Sequence, residues 1–263
     1  MSTVTFTHIG GPTTLIEVEG WRILTDPTFD APGRTYRFGW GTSSRKTTAP
    51  AIASTRLGSI DAVLLTHDQH ADNLDDAGRA LLPGAGAVVT TIPGALRLGG
   101  GARGLRAWES TCLEAPGRPT ITVTATPCRH GPPGSRRIVG EVIGFALEWL
   151  GQEHGAVWIS GDTVLTDPVR RVAARLDVGT AIIHLGRVGF PITGPLKYTM
   201  SGADALELCE LMSPRTAIPV HYEGWSHFTQ GREQVLAELA TASRDAASRI
   251  LWAPVGTAVE LTT

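Results

Sequence analysis

Five apolar runs of this 263-residue chain end at or just before an aspartate or a histidine, and this shared context restricts the fold more than any single motif does. Apolar runs of this length between turn residues are typical of buried strands. Loops at the carboxyl ends of parallel strands converge on one edge of a sheet, so residues that follow such strands meet in space. We therefore expect one shared site, built by Asp26 after WRILT, His67 after AVLLT, His130 after TVTATPCR, Asp162 after AVWISG and His221 after TAIPV.

Strands and helices alternate along both halves of the sequence. Strands are predicted for TTLIEV, AVVTTI and AIIHLG, and a helix for ADALELCELM. No Pro/Gly/Ser-rich linker separates two cored halves, so residues 1–263 are expected to form a single α/β domain of two sheets flanked by helices. Residues 28–50 lose this periodicity and carry Tyr36, Phe38 and Trp40, which indicates a long ordered loop over a pocket.

The charge balance argues against a polyanionic partner. With 23 basic and 25 acidic residues, the chain lacks the excess of basic side chains that nucleic acids or anionic membranes require. The three cysteines are widely spaced and form no CxxC pair, and neither a basic leader nor a long apolar run is visible. We expect a cytoplasmic protein that acts on a small molecule, with no nucleic-acid and no membrane partner.

The segment LLTHDQHADNLD places His67, His70 and Asp72 on one loop. Imidazole and carboxylate are ligands of zinc, manganese and iron, and three donors on one loop need little further ordering. A histidine pair at this spacing arises easily by chance in a chain with eight histidines, and Asp162 or Asp26 alone could be a helix cap or a turn residue. Chance would, however, have to place every one of these groups at a strand end. The pattern predicts one or two divalent ions, with zinc first and manganese or iron as alternatives.

Five motifs in chain order resemble those of the metallo-β-lactamase-fold hydrolase superfamily, and more specifically of its L-ascorbate-6-phosphate lactonase-like branch. They are LTDP, LLTHDQHADN, TPCRHG, ISGDTV and IPVHYEGW. Five ordered motifs over about 200 residues make this resemblance specific. The resemblance implies a four-layer αββα sandwich with its metal site at one edge of the paired sheets, and hydrolysis by a metal-activated water. By the same analogy, a homo-oligomer is expected rather than a monomer.

The histidine-rich loop departs from the superfamily's usual HxHxDH pattern. The chain reads HDQHADN, with one additional residue between the histidines and with Asn73 where the last histidine is expected. Aligning His70 with the second family histidine also aligns Asp72 with the family aspartate. Because Asn73 offers only a weak amide oxygen, the second ion should be bound more weakly or be a harder metal. The resemblance then implies two ion sites, which are His67, His70 and His130 for one, and Asp72 and His221 for the other, with Asp162 bridging.

Further residues are predicted to act in the reaction or beside it. The predicted catalytic groups are Asp162, Asp72 and His184, the last as the residue that polarises the substrate. Asp26 is similar to the superfamily carboxylate that orients a ligand imidazole. Arg and Tyr side chains offer donors to a carbonyl or an anionic group. Contact with the substrate or with a ligand is predicted for Asp68, Asn73, Arg187 and Tyr198, and a place in the pocket wall for Glu223, Trp225 and His227.

Three functions are consistent with this sequence. The first is a metal-dependent hydrolase of a small ester, lactone or phosphorylated metabolite. The second is an iron-dependent oxidoreductase with the same fold, and the third is a catalytically degenerate protein that binds a metal or ligand, an alternative motivated by Asn73. Metal identity separates them, because zinc is redox-silent and excludes one-electron chemistry, whereas a degenerate protein would purify without metal.

Overall fold

The computed structural model describes residues 3–240 and 244–262, in which two large sheets and one short hairpin are formed. In chain order the strands are β1 (Thr3–Gly10), β2 (Thr13–Val18), β3 (Trp21–Thr25), β4 (Thr35–Gly39), β5 (Thr42–Arg45), β6 (Ala62–Leu64), β7 (Ala87–Thr91), β8 (Arg103–Leu105), β9 (Ser110–Leu113), β10 (Ile121–Pro127), β11 (Ile143–Trp149), β12 (Ala156–Ile159), β13 (Val178–His184), β14 (Thr216–Val220) and β15 (Ala258–Thr262).

The helices are short and lie between the strands. In chain order they are α1 (Asp76–Leu81), α2 (Ile92–Leu98), α3 (Arg136–Val139), α4 (Asp167–Arg170), α5 (Val172–Arg175), α6 (Gly202–Met212), α7 (Arg232–Leu239) and α8 (Arg244–Ser248). Ser201 begins α6 with a reciprocal capping box, in which Asp204 bonds back to the Ser201 amide. In the described ranges, no helix has the length and apolar content that a membrane span needs.

The direction of the strands decides where the predicted site residues end up. The first sheet has the order β15-β1-β2-β3-β6-β7-β8 and the second β14-β13-β12-β11-β10-β9. Pairing is parallel from β3 to β8 and from β12 to β14. Strand β10 also runs in the direction of β12, because both are antiparallel to β11. Within each sheet, the residues that follow these strands therefore come out at the same edge.

Apolar side chains join four layers. Phe6 and Phe145 are fully buried between the two sheets. Trp158 and Leu208 belong to a second cluster, which joins the other face of the second sheet to α6 and α7, and Leu24 belongs to a third beneath α1. Each buried side chain of this size contributes about 1.5–3 kcal/mol, so stacking of the layers fixes where the strands end. The predicted αββα sandwich is confirmed.

Residues 28–50, which the sequence predicts to be a long ordered loop, contain a β-hairpin. Strands β4 and β5 pair antiparallel around Gly39, Trp40 and Gly41, whose φ angles are 88°, 51° and 76°. Glycine adopts this left-handed region without a Cβ clash, so two glycines beside one tryptophan permit the tight turn. Trp40 is 76% exposed at the tip, while the ring of Phe38 lies 5.3 Å from that of His70. The hairpin therefore carries aromatic side chains to the strand edge.

Candidate metal centre

The six predicted metal ligands meet at one edge of the sheets, as the strand ends require. Four of them directly follow or lie shortly after β6, β10, β12 and β14, and the other two lie in the turn after β6. That turn is closed by the Leu74 amide, which donates to the His70 carbonyl at 2.9 Å. The six residues form two buried groups, which are His67, His70 and His130, and Asp72, Asp162 and His221.

Three imidazole nitrogens converge in the first group. His67 Nε2 lies 3.0 Å and His130 Nε2 3.2 Å from His70 Nδ1. His67 Nδ1 lies 3.1 Å from Thr66 Oγ1, whose own hydrogen is donated to a carboxylate, so the His67 ring hydrogen sits on Nδ1. His130 Nδ1 donates to the Tyr198 carbonyl at 2.7 Å. Both Nε2 atoms thus present lone pairs to His70 Nδ1, which has at most one hydrogen. A divalent cation satisfies all three nitrogens, whereas no arrangement of neutral rings does.

The ionisation of this first group suits metal binding. Burial, with smaller contributions from the neighbouring imidazoles, lowers the pKa of His67 well below its usual value and that of His130 to about 3. Burial also lowers the pKa of His70. All three rings are therefore neutral near neutral pH, which is the form that binds a metal.

The second group contains two carboxylates that lack hydrogen-bond donors. His221 Nε2 lies 3.3 Å from Asp72 Oδ2 and 3.5 Å from Asp162 Oδ2. Asp72 is 3% exposed and Asp162 is fully buried, yet Asp72 Oδ1 and both Asp162 oxygens have no hydrogen-bond partner among the described residues. Burying a carboxylate in this state costs several kcal/mol, which a cation offsets. The donor set fits a divalent ion that accepts oxygen as well as nitrogen.

Charge coupling in the second group leaves it holding a proton near neutral pH. Burial raises the pKa of Asp162 to about 7, against the opposing charge of His221. Burial alone would lower the pKa of His221, but Asp162 and Asp72 raise it to about 9. Burial works against the ionised form of Asp72 as well, but hydrogen bonds from His221 and His227 hold its pKa well below the usual range. An ion that binds here must displace the proton on His221.

Metal binding at the two groups should therefore depend differently on pH. Between about pH 7 and pH 8.5, affinity at the histidine group should stay flat, because its rings have already lost their protons. Affinity at the second group should rise by up to about tenfold per pH unit, since a group with a raised pKa releases its proton more easily as the pH increases. Zinc titration calorimetry in buffers of different ionisation enthalpy measures the released protons. Equal proton release at both groups would contradict the assignment.

Asp26 lies behind the two groups of ligands. Its carboxylate accepts hydrogen bonds from the amide and hydroxyl of Thr66 at 2.7 and 2.9 Å, and from Asn73 Nδ2 at 3.3 Å. Thr66 Oγ1 in turn contacts His67 Nδ1. These contacts link Asp26 to the His67 imidazole through Thr66, which is the arrangement that the predicted orienting role of Asp26 requires. The amide nitrogen of Asn73 donates to Asp26, and the one atom that Asn73 could offer a metal is Oδ1, which has no hydrogen-bond partner among the described residues.

His184 lies too deep for the predicted contact with a substrate. Its side chain is fully buried, with Nε2 3.2 Å from Asp26 Oδ2 and Nδ1 3.4 Å from Ser160 Oγ. Burial lowers its pKa, although Asp26 opposes this. Because both ring nitrogens face buried partners, the structure gives His184 the role of holding Asp26 and not that of polarising a substrate.

Two more predicted site residues lie away from the ligands. Asp68 pairs with Arg97 of α2, with Arg97 Nε 2.9 Å from Asp68 Oδ2 and Arg97 Nη2 2.5 Å from Asp68 Oδ1. This pairing occupies both carboxylate oxygens, and Asp68 belongs to neither group of candidate ligands, which corrects the predicted contact with a ligand or the substrate. Arg187 is exposed and does not line the cavity beside the ligands, whereas Tyr198 does.

A cavity of about 430 Å³ opens onto both groups. His70, Asp72 and His130 form its polar end. In the part of the chain that the structure describes, neither lysine nor arginine lines it. Its remaining walls are mostly apolar and aromatic and are formed by Phe38, Trp40, Thr42, Ile138, Val139, Val188, Phe190, Ile192, Thr193, Leu196 and Tyr198.

The residues predicted for the pocket wall after β14 have other positions. Glu223 Oε1 accepts from the Gly11 amide at 2.7 Å, and the ring of Trp225 packs 5.2 Å from that of Tyr36. His227 is 5% exposed, and its Nε2 lies 3.0 Å from Asp72 Oδ2. The sequence did not predict this contact between His227 and Asp72. The available signal was a second histidine in the same loop as His221.

Paired sheets between helices, with buried histidine and aspartate clusters at the sheet edge, define a fold of the metallo-β-lactamase type. The family model described as "Beta-lactamase superfamily domain" matches residues 21–222, and the chain belongs to this family. A "UPF0173 metal-dependent hydrolase" of Pyrobaculum neutrophilum is 25% identical over 235 residues, which cover 88% of this chain and 89% of the relative.

Two solved structures share the fold over nearly the whole chain. The isothiocyanate hydrolase from Delia radicum gut bacteria has a TM-score of 0.80 at 19% identity, covering 98% of this chain and 99% of its own. A possible metal-dependent hydrolase from Veillonella parvula has a TM-score of 0.80 at 21% identity, with the same coverage. The prediction of a metal-dependent hydrolase in this superfamily is confirmed at this level. The lactonase-like branch stays a prediction.

Proposed function

We propose that this protein hydrolyses a small, uncharged and largely apolar ester or lactone with the help of two divalent ions. The observation that carries the proposal is the position of the two donor groups at the polar end of an apolar cavity. When bound, divalent ions activate a water molecule and polarise the substrate oxygen. The nitrogen donors of the first group favour zinc, and the carboxylates of the second admit manganese or iron.

The cavity residues would bind and orient the substrate. Phe38, Phe190 and Leu196 offer apolar surface, which favours a hydrocarbon or aromatic substituent. Tyr198 lies on the wall with its ring 5.9 Å from that of His130, and its hydroxyl is the neutral donor that we assign to the substrate carbonyl. Trp40 and the hairpin that carries it lie at the mouth and would limit the entry of bulk water.

The composition of the walls argues against a phosphorylated substrate. A phosphoryl group is usually bound by Arg or Lys in addition to a metal, because its charge needs several donors. The lining residues that the structure describes include neither. Of the three substrate classes that the sequence allowed, the apolar ester or lactone is therefore favoured over the phosphorylated metabolite.

Metal content and turnover should be measured together to test this proposal. Zinc- or manganese-loaded protein should cleave p-nitrophenyl butyrate or a medium-chain lactone with a higher kcat/KM than p-nitrophenyl phosphate. Benzyl isothiocyanate belongs in the panel, because isothiocyanates are small neutral electrophiles and a structural neighbour is named an isothiocyanate hydrolase. Failure to bind metal after reconstitution would overturn the proposal in favour of a degenerate binding protein. Bound iron with oxidative turnover and no hydrolysis would favour the oxidoreductase.

A single charge at the cavity mouth should change the substrate preference. Leu196 lines the cavity and is 43% exposed, so Leu196→Lys should fold and place an ammonium group beside the substrate. The ratio of kcat/KM for a phosphorylated aryl ester to that for the neutral ester should rise about tenfold, corresponding to about 1.4 kcal/mol of charge attraction. Leu150→Lys is the matched control, because Leu150 is 92% exposed and lies outside the cavity. An equal change in both variants would exclude this cavity as the substrate site.

A further inference from the structure

His227 lies beside the second group of metal ligands, although it comes from a different part of the loop that begins at His221. The His227 carbonyl accepts a hydrogen bond from the Gly189 amide at 3.2 Å, and the neighbouring Ser226 amide donates to Arg45 of β5 at 2.9 Å. These two contacts fix the backbone between the hairpin and the segment after β13. The His227 side chain is 5% exposed, and its Nε2 lies 3.0 Å from Asp72 Oδ2.

The ring of His227 is held in one orientation. Its Nδ1 lies 2.5 Å from Ser44 Oγ, and its ring stacks on Phe190 at 5.3 Å with an interplanar angle of 3°. Phe38 meets it edge-on at 5.3 Å, and Phe228 lies 4.7 Å away. A hydrogen-bond partner on Nδ1 and packed ring faces are the usual means by which a protein fixes the orientation of a ligand histidine.

The second group is short of nitrogen donors without this residue. It contains one imidazole, from His221, and Asp72 Oδ1 there meets no hydrogen-bond partner within residues 3–240 and 244–262. Asn73, which stands where the superfamily pattern has a histidine, instead donates its amide hydrogen to Asp26 Oδ2 at 3.3 Å. His227 approaches Asp72 from the side of the hairpin and supplies the type of donor that Asn73 lacks.

We infer that His227 is a ligand of the second ion and supplies the imidazole that is absent at position 73. This inference rests on the proposed two-ion centre and adds the residue that completes it. The alternative is that His227 only donates a hydrogen bond that orients Asp72, which a glutamine at this position would still do.

Metal titration of His227→Ala and His227→Gln separates these two roles. Wild-type protein should bind two equivalents of zinc in equilibrium dialysis. Both variants should keep the first equivalent at wild-type affinity and bind the second more than about 100-fold more weakly, since loss of an orienting partner alone costs about 10–100-fold. Wild-type affinity for the second equivalent in His227→Gln would overturn the inference. His154→Ala is the matched control, because His154 lies outside both groups of ligands.

A wild-type measurement keeps the inference testable if a variant fails to fold. In a crystal structure of the zinc-loaded wild type, His227 Nε2 should lie about 2.0–2.1 Å from the second ion. A distance beyond about 3 Å would overturn the inference, and so would a wild-type stoichiometry of one, while the first ion on the histidine group would still support the proposed function. Absence of both ions would instead overturn the proposed function itself.

Discussion

Asp162→Asn should lower kcat/KM of the metal-loaded protein by about 10³-fold or more and at the same time stabilise the metal-free protein. The loss of activity is expected because the variant removes a full negative charge from the second group of ligands. The gain in stability is expected because Asp162 is fully buried, and both of its oxygens lack hydrogen-bond partners among the described residues.

The sign of the stability change follows from the raised pKa. A carboxyl group whose pKa is raised to about 7 in the folded protein makes its full contribution to stability at pH values below the pKa that it has in the unfolded chain. This contribution is lost as the pH rises through the folded-state pKa. Near pH 8 the ionised Asp162 therefore destabilises the metal-free fold. Asparagine removes this cost, and the free energy of unfolding should rise by on the order of 1–3 kcal/mol.

Urea denaturation near pH 8 with a chelator, together with kinetics after reloading, measures both effects. Asp167→Asn is the control, because the Asp167 side chain is 81% exposed and pairs with Arg170 at the surface. It should leave both quantities close to the wild-type values. An Asp162→Asn protein that keeps more than about a tenth of the activity would exclude Asp162 as a ligand that the reaction needs.

Lys46→Met should lower the free energy of unfolding by about 3–5 kcal/mol. Lys46 is 3% exposed, and its Nζ lies 2.8 Å from Asp75 Oδ2. Asp75 also begins α1 by accepting from the Gly78 amide, and it accepts from the amides of Phe29 and Asp30. The variant leaves this carboxylate buried without its cation. It also weakens the anchor of the hairpin, so KM should rise as well.

A double-mutant cycle with Asp75→Asn tests whether the ion pair is the cause. The asparagine keeps the shape of the cap and removes the charge, so Lys46→Met/Asp75→Asn should be less destabilised than the sum of the single variants. Arg106→Met is the contrasting variant, because Arg106 and Glu109 form a solvent-exposed pair that should contribute little to stability. Strict additivity in the cycle would mean that the pair does not stabilise the protein through its charges.

The sequence was sufficient to predict the fold and the convergence of the ligand candidates. His67, Asp162 and His221 each follow a short apolar run that is typical of a buried strand, and strands of one direction within a sheet end at one edge. Strand direction brings such residues together within each sheet, and the apolar packing between the two sheets then brings the two edges together. The motif order then indicated the four-layer sandwich.

The parts that the sequence did not predict depend on contacts between distant segments. His227 meets Asp72 only because the hairpin and the loop after β14 pack together. Asp68 turns away because α2 presents Arg97, and His184 is buried because Ser160 and Asp26 enclose its ring. Local pattern does not contain these pairings, since each joins residues that are far apart in the chain.

The two groups of candidate ligands are each divided between the two sheets. His67 and His70 follow a strand of the first sheet, whereas His130 follows one of the second, and Asp72 and Asp162 are divided in the same way. An ion in either position would be bound by residues from both sheets and would therefore cross-link the sheets at this edge. Removal of the ions by a chelator should therefore increase local opening at this edge. Amide hydrogen exchange should become faster at the edge of the sheets before it becomes faster in the interior between them.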